Sequence, residues 1–118
     1  MEIDELRTFC LSLPGTGEGL PFGPEPLVFR VLGKMFALAD LEPFHEVTLK
    51  CEPEKAQELR VHYPAVKPGY HMDKRHWNTI ELDGSIPEAT LYQWVRDSYD
   101  LVVSKLPKKD QKRLVQRK

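Results

Sequence analysis

The run Pro68-Gly-Tyr-His-Met-Asp-Lys-Arg-His-Trp-Asn-Thr79 crowds two histidines, two aromatics, a Lys-Arg pair and a side-chain amide into twelve residues. Imidazoles hold metals or move protons, cations meet phosphates, and rings either stack on bases or pack in a core. A core strand has no use for so many polar groups, whereas a hairpin whose end faces solvent or a ligand can carry them. The segment 67–82 therefore reads as a β-hairpin with Met72-Asp-Lys-Arg75 at its tip. Pro68 has no amide hydrogen to donate and suits an edge or irregular strand.

Three chemistries are open to this run. A metal would find His71 and His76 on opposite arms, with Asp73 or Cys51 as a third ligand, but neither Cys-x-x-Cys nor His-Glu-x-x-His is present, and His45 and His62 add no pattern. Covalent catalysis would need Cys51 or Cys10 as a thiolate, yet both fall on apolar stripes, where burial raises a thiol pKa. No Gly-x-Ser-x-Gly is present, and Gly15, Gly17, Gly19 and Gly23 precede a strand and not a helix, so they form no phosphate cradle. Nucleic acid fits more of the residues: Lys67, Lys74, Arg75 and His76 interleave with Tyr70 and Trp77, and Arg30, Lys34 and the tail 104–118 can extend the patch.

Composition bounds these options. At 118 residues the chain is expected to form one domain, 1–118, large enough for its own core. No apolar run approaches the ~18 residues of a membrane span. The start Met1-Glu-Ile-Asp-Glu-Leu6 is acidic, unlike a secretory signal, so cytoplasm is the expected compartment and no membrane partner is expected. Cys10 and Cys51 have no framework spacing and are expected as reduced core thiols. Charge is uneven: residues 1–103 carry 10 Lys/Arg against 17 Asp/Glu, and residues 104–118 carry 7 against Asp110 alone. An acidic body binds a phosphate backbone only if its cations share a face.

Periodicity supplies the elements that must position the run. Ile3, Leu6, Phe9, Cys10 and Leu13 mark a first helix, stopped at Pro14-Gly15. Residues 14–26 read as a thirteen-residue Gly/Pro-rich covering loop pinned by Leu20 and Phe22. Leu27–Leu32 and Met35–Asp40 flank a two-residue turn at Gly33-Lys34, and Glu46–Cys51 alternates cleanly, giving a three-stranded meander. A second helix opens at Pro53 with Ala56, Leu59 and Tyr63 on one stripe. Ser85 and Glu88 form a predicted capping box for a long helix carrying Leu91, Val95, Tyr99, Val102 and Leu106. A short final helix follows Pro107.

Those residues carry a family resemblance. Leu13-Pro-Gly15, Pro21-Phe-Gly23, Val28-Phe-Arg-Val31, Gly33-Lys-Met-Phe-Ala-Leu38, the run 68–79, Ser98-Tyr99, Leu101-Val-Val103 and Leu106-Pro-Lys-Lys109 resemble the MmcQ/YjbR-like family of small bacterial proteins. The resemblance implies an α+β two-layer sandwich, an antiparallel sheet with helices on one face in the order α-β(3)-α-β(2)-α plus a short C-terminal helix, similar to CyaY-like and secretion-chaperone-like domains. It also implies DNA binding through two wing-like hairpins, here at Gly33-Lys34 and Asp73-Lys74-Arg75. Family members often carry an acidic pair ahead of Pro-Phe-Gly, where this chain has Glu18-Gly19. The resulting expectation is a non-enzymatic, cofactor-free, weak DNA binder using Arg30, Lys34, Lys67, Lys74, Arg75, His76, Trp77 and Asn78. In it, Lys74 and Arg75 meet phosphate, His76 and Asn78 contact the groove or position the loop, and Trp77 braces the strand or stacks. Two rivals remain: a protein-interaction or chaperone-like module, and a metal or small-molecule site around His71, His76 and Cys51.

Overall fold

The stripe Ile3, Leu6, Phe9, Cys10 winds into α1 (Ile3–Ser12), burying Leu6 and Cys10 completely. Glu5 turns back to accept the Glu2 amide at 2.7 Å, occupying one of the donors that every helix start leaves unpaired. The computed structural model describes residues 1–69 and 72–116, so the ring assigned to Tyr70, the metal ligand assigned to His71, and the tail residues Arg117 and Lys118 lie outside the described residues.

After α1 the expected long loop is broken by a strand. Residues Thr16–Gly19 form β1 and pair antiparallel with β2 (Leu27–Val31). Nothing apolar alternates there, which is why periodicity misses it. Gly17 and Gly19 fall opposite Arg30 and Val28, and the side chain between them, Glu18, takes both Nε and Nη2 of Arg7 at 2.8 and 2.6 Å. This two-pronged ion pair ties α1 to the sheet edge and pulls the Glu18 carboxyl below its ordinary pKa. Leu20 and Phe22 do not pin residues 20–26; both are exposed.

The turn into β3 (Lys34–Ala39) is Leu32-Gly33, one residue earlier than expected, and Lys34 already pairs with Val31. Both turn residues have positive φ, 46° and 85°, the two-residue geometry whose twist matches antiparallel strands. There follow β4 (Glu46–Lys50), α2 (Pro53–His62), β5 (Val66–Pro68), β6 (Trp77–Glu81), α3 (Glu88–Ser104) and α4 (Lys108–Gln116). The six strands stand in the order β1-β2-β3-β4-β6-β5, every neighbour antiparallel. Helix α1 lies on β1, α2 on β5 and β6, and α3 on β2, β3 and β4. This is the expected α+β two-layer arrangement with one strand more than the order α-β(3)-α-β(2)-α.

The predicted capping box at Ser85 does not form. The Ser85 hydroxyl donates to Asp83 Oδ1 at 2.6 Å, and α3 opens one residue after Pro87. Asp83 is two residues away and already accepts the Ser85 amide, and the Glu88 carboxylate is held by the Met1 ammonium at 2.6 Å.

The stripe of α3 is buried as its spacing predicts, at Leu91, Val95, Tyr99 and Val102, and it includes one polar residue, Ser98, with no exposure at all. In β3, Phe36 is an extra residue between the pairs Phe29↔Ala37 and Arg30↔Met35, a β-bulge that turns Phe36 and Ala37 both into the core. The pairing of β3 with β4 stops at Ala37↔Leu49. One step further, the Phe36 carbonyl accepts from Ser98 Oγ at 2.6 Å and the Lys50 amide donates to the same oxygen at 2.9 Å. One hydroxyl thus closes the gap that the bulge opens. Ser98→Ala leaves a buried donor and a buried acceptor unmet, and we expect a loss of about 1–3 kcal/mol in urea unfolding; a change under about 0.5 kcal/mol would show that the gap closes without it.

Candidate nucleic-acid interface at the bend end of the sheet

Strand register decides where the two hairpin bends sit. Val31↔Lys34 closes the β2–β3 hairpin at one end of the sheet, and Lys50↔Trp77 lies at the same end because β4 runs from Glu46 towards Lys50 beside β3. The tip 72–76 immediately precedes Trp77. Both bends therefore leave from one end, separated in the sheet by β4.

Between them lies a cleft of about 320 Å³. Lys34 from β3, Lys50 from β4 and Lys105 from the end of α3 border it, over a floor of Met35, Met72 and Trp77. The Lys50 ammonium stands 5.9 Å from the Trp77 ring centroid, in cation–π range. Helix α4 adds to this end: Leu114 is buried beside Gly15 and Leu32, which docks the helix against the first bend and leaves Lys108, Lys109 and Lys112 exposed. At the opposite end the connections carry Glu25, Asp40, Glu42 and Asp83.

The expected site residues divide. Lys34, Lys74 and Arg75 are exposed at the bend end, and the Lys74 carbonyl accepts from Arg60 Nη1 at 3.2 Å. Arg30 lies at the same end on the sheet face away from the helices, half-buried, its Nε enclosed without a hydrogen-bond partner among the described residues. Lys67 is ion-paired with Glu81 on the neighbouring strand. Trp77 is 7% exposed beneath Met72 and Met35, so it braces the strand and offers no free ring face. Asn78 faces the helices at 2% exposure and donates Nδ2 to the Ala56 carbonyl at 3.2 Å, so it cannot reach a groove. Gly69 explains the tightness: a Cβ there would meet Trp77 Cβ at 2.9 Å.

Asp73 organises the tip. Its Oδ1 accepts the Arg75 amide at 2.9 Å and its Oδ2 bonds His76 Nδ1 at 2.8 Å, an Asx-type turn that holds the bend while Lys74 and Arg75 point outward. These two bonds, the backbone one foremost, hold the Asp73 carboxyl below its ordinary pKa. The residue missed at the sequence level is Lys50, which borders the cleft together with Lys105 of the basic 104–118 tail. The alternation of β4 was the available signal for Lys50, since it places Lys50 opposite the buried Val47 and Leu49.

Elsewhere the chemistry is quiet. Burial pushes the Cys10 thiol up to about 12, and burial likewise raises Cys51. Among the described residues no three His, Cys, Asp or Glu side chains group to hold a metal, and no helix is long and apolar enough to cross a membrane.

A two-layer α+β domain with a six-stranded antiparallel sheet defines the class. Residues 11–101 match the model of the YjbR family, and the chain belongs to that family. It is 41% identical to YbdF of Escherichia coli O157:H7 over 109 residues, 92% of this chain and 89% of that one. It is 36% identical to YjbR of Escherichia coli K12 over 117 residues, 98% and 99% of the two chains. Both relatives are described as uncharacterised. A Deinococcus radiodurans crystal structure superposes with a TM-score of 0.87 at 42% identity, covering 95% of this chain and 86% of that one.

Because the folded-state carboxyl of Asp73 is depressed, its grip on the tip is complete above the ordinary aspartate range and is lost as pH falls through the depressed value. The Arg75 amide resonance should therefore titrate with a midpoint below the ordinary value of about 3.9. A midpoint at or above that value would contradict the tip geometry.

Proposed function

We propose that the protein binds DNA weakly, and with little sequence preference, through the bend end of the sheet. The observation that carries this reading is the convergence of Lys34, Lys50 and Lys105 on the cleft between two bends that leave the sheet from the same end. In the strand order the centres of the two hairpins stand three spacings apart, about 14 Å at ~4.8 Å each, comparable with the ~12 Å width of a major groove. Lys34 on one wing and Lys74 and Arg75 on the other would meet phosphates on either side, with α4 adding cations beyond the first wing. Trp77 and Asn78 are enclosed, so base reading by them is not part of the proposal. Contacts of this kind position a protein on the backbone and carry no sequence information.

A second reading rests on a different surface. Phe22 is 61% exposed and lines a cleft of about 410 Å³ in which Leu38 and Met72 are bordered by Glu25, Asp40 and Glu46, an apolar patch with an acidic rim suited to a protein partner.

Salt separates the two. Affinity for a short DNA duplex should fall steeply with ionic strength, and Lys74→Ala/Arg75→Ala should weaken it and reduce the slope of log K against log salt by about 2. Affinity unaffected by both salt and the double variant would end the DNA reading. Partner capture lost in Phe22→Asp but retained in the double variant would favour the protein partner.

A further inference from the structure

The cleft at the bend end is built of two kinds of surface, and phosphate contacts account for only one of them. It lies beyond Ala37↔Leu49, the last pair of β3 with β4. Lys34 leaves β3 on the side of buried Val31, Lys50 leaves β4 on the side of Trp77, and Lys105 follows α3, so cations reach it from three directions. Among the described residues none of the three is ion-paired. No carboxylate lines this cleft, whereas Glu25, Asp40 and Glu46 line the one at Phe22, and Glu52 and Asp97 the one between α2 and α3. The floor is apolar. Two of the chain's three methionines, Met35 and Met72, pack partly buried against Trp77 and line it. A thioether is soft and polarisable, adapts its shape and attracts flat rings. The backbone of a duplex gains nothing from such a floor, because its bases are stacked inside.

We infer that the cleft takes one unstacked nucleotide of a single strand, its base against the Met35 and Met72 thioethers and its flanking phosphates on Lys34, Lys50 and Lys105. The inference deepens the DNA reading and rests on it: the same end of the sheet prefers single-stranded to fully paired DNA. At about 320 Å³ the cleft is at the small end of the ~300–1,000 Å³ of small-ligand pockets, a fit to a single base. Proteins that bind single strands without reading sequence pair a cationic track with flat contacts for the bases, and every base has such a face. Here the methionines take the part usually given to exposed rings, since Trp77 is enclosed beneath them.

The test is an NMR titration of the full chain carrying ¹³C-methyl methionine. The ligands are a short adenine-rich DNA strand, the same strand annealed to its complement, an abasic strand of equal length, and deoxyadenosine monophosphate. Met1, held by Glu88 at the far end of α3, is the internal reference. With the single strand the Met35 and Met72 methyl resonances should move upfield under the base ring while Met1 stays. The strand should bind roughly tenfold tighter than its abasic counterpart, which carries the same phosphates without bases. Met35→Gln/Met72→Gln keeps the length of both side chains, removes the thioethers and should erase that preference; the methyl shifts of the unsubstituted protein test the inference even if this variant folds poorly. The monophosphate should move the same methyls only at far higher concentration, because it brings one phosphate to three cations. Equal affinity for monophosphate and strand would make the ligand a free nucleotide and overturn the inference. Duplex and abasic strand bound as tightly as the single strand, with both methyls unmoved, would overturn it and leave the DNA reading standing. Binding of none of the four would remove both.

Discussion

One hydroxyl holds the two layers in register. Ser98 stands on the buried stripe of α3 and meets both edges of the gap between β3 and β4, donating to the Phe36 carbonyl and accepting from the Lys50 amide. A serine in a core is unfavourable unless bonded, and here both its capacities are used. The bulge at Phe36 can then exist without orphaning the backbone, and its consequences reach the surface. It returns Met35 to the open face opposite Arg30, where it becomes part of the floor of the cleft bordered by Lys34, Lys50 and Lys105.

Charge is arranged along the strands and not along the sequence. The excess of acid in residues 1–103 and of base in residues 104–118 suggests an acidic body with a basic tail. In the folded chain, antiparallel register brings cations from residues 34, 50, 74 and 75 to one end, and Leu114 docks the basic α4 beside them. Many of the acids gather in the connections at the other end. A polarised molecule of nearly neutral net charge orients in the field of a polyanion even though its total charge attracts it little.

The hairpin run that concentrates the chemistry serves two masters. Its tip, organised by Asp73, presents Lys74 and Arg75 to solvent, while Trp77 and Asn78, next in sequence, point into the two faces of the sheet. Alternation in a strand makes this unavoidable: adjacent side chains leave on opposite faces, so a tryptophan bracing one layer forces its neighbour into the other. In this protein that neighbour is an asparagine with its Nδ2 bonded to α2 and its Oδ1 enclosed without a hydrogen-bond partner among the described residues.

Periodicity in the sequence determined the elements whose apolar residues repeat. The stripes of α1, α2 and α3 and the alternation of β4 face the core as their spacing predicts, with Ile3, Phe9, Cys51 and Tyr63 half-buried at its margin, because the period of the element and that of the pattern coincide. It determined the polar tip as well, since a run so rich in charge cannot be enclosed. Tertiary structure alone decided the rest. β1 is a strand because Arg7, eleven residues earlier, clamps Glu18 and β2 offers an open edge, neither of which is local. Ser85 lost its capping role to Asp83 and Pro87, Trp77 and Asn78 became core residues, and Lys50 and Lys105 joined the cleft because long-range register carried them there. Local sequence fixes which face a side chain leaves from; what it meets depends on residues distant in the chain.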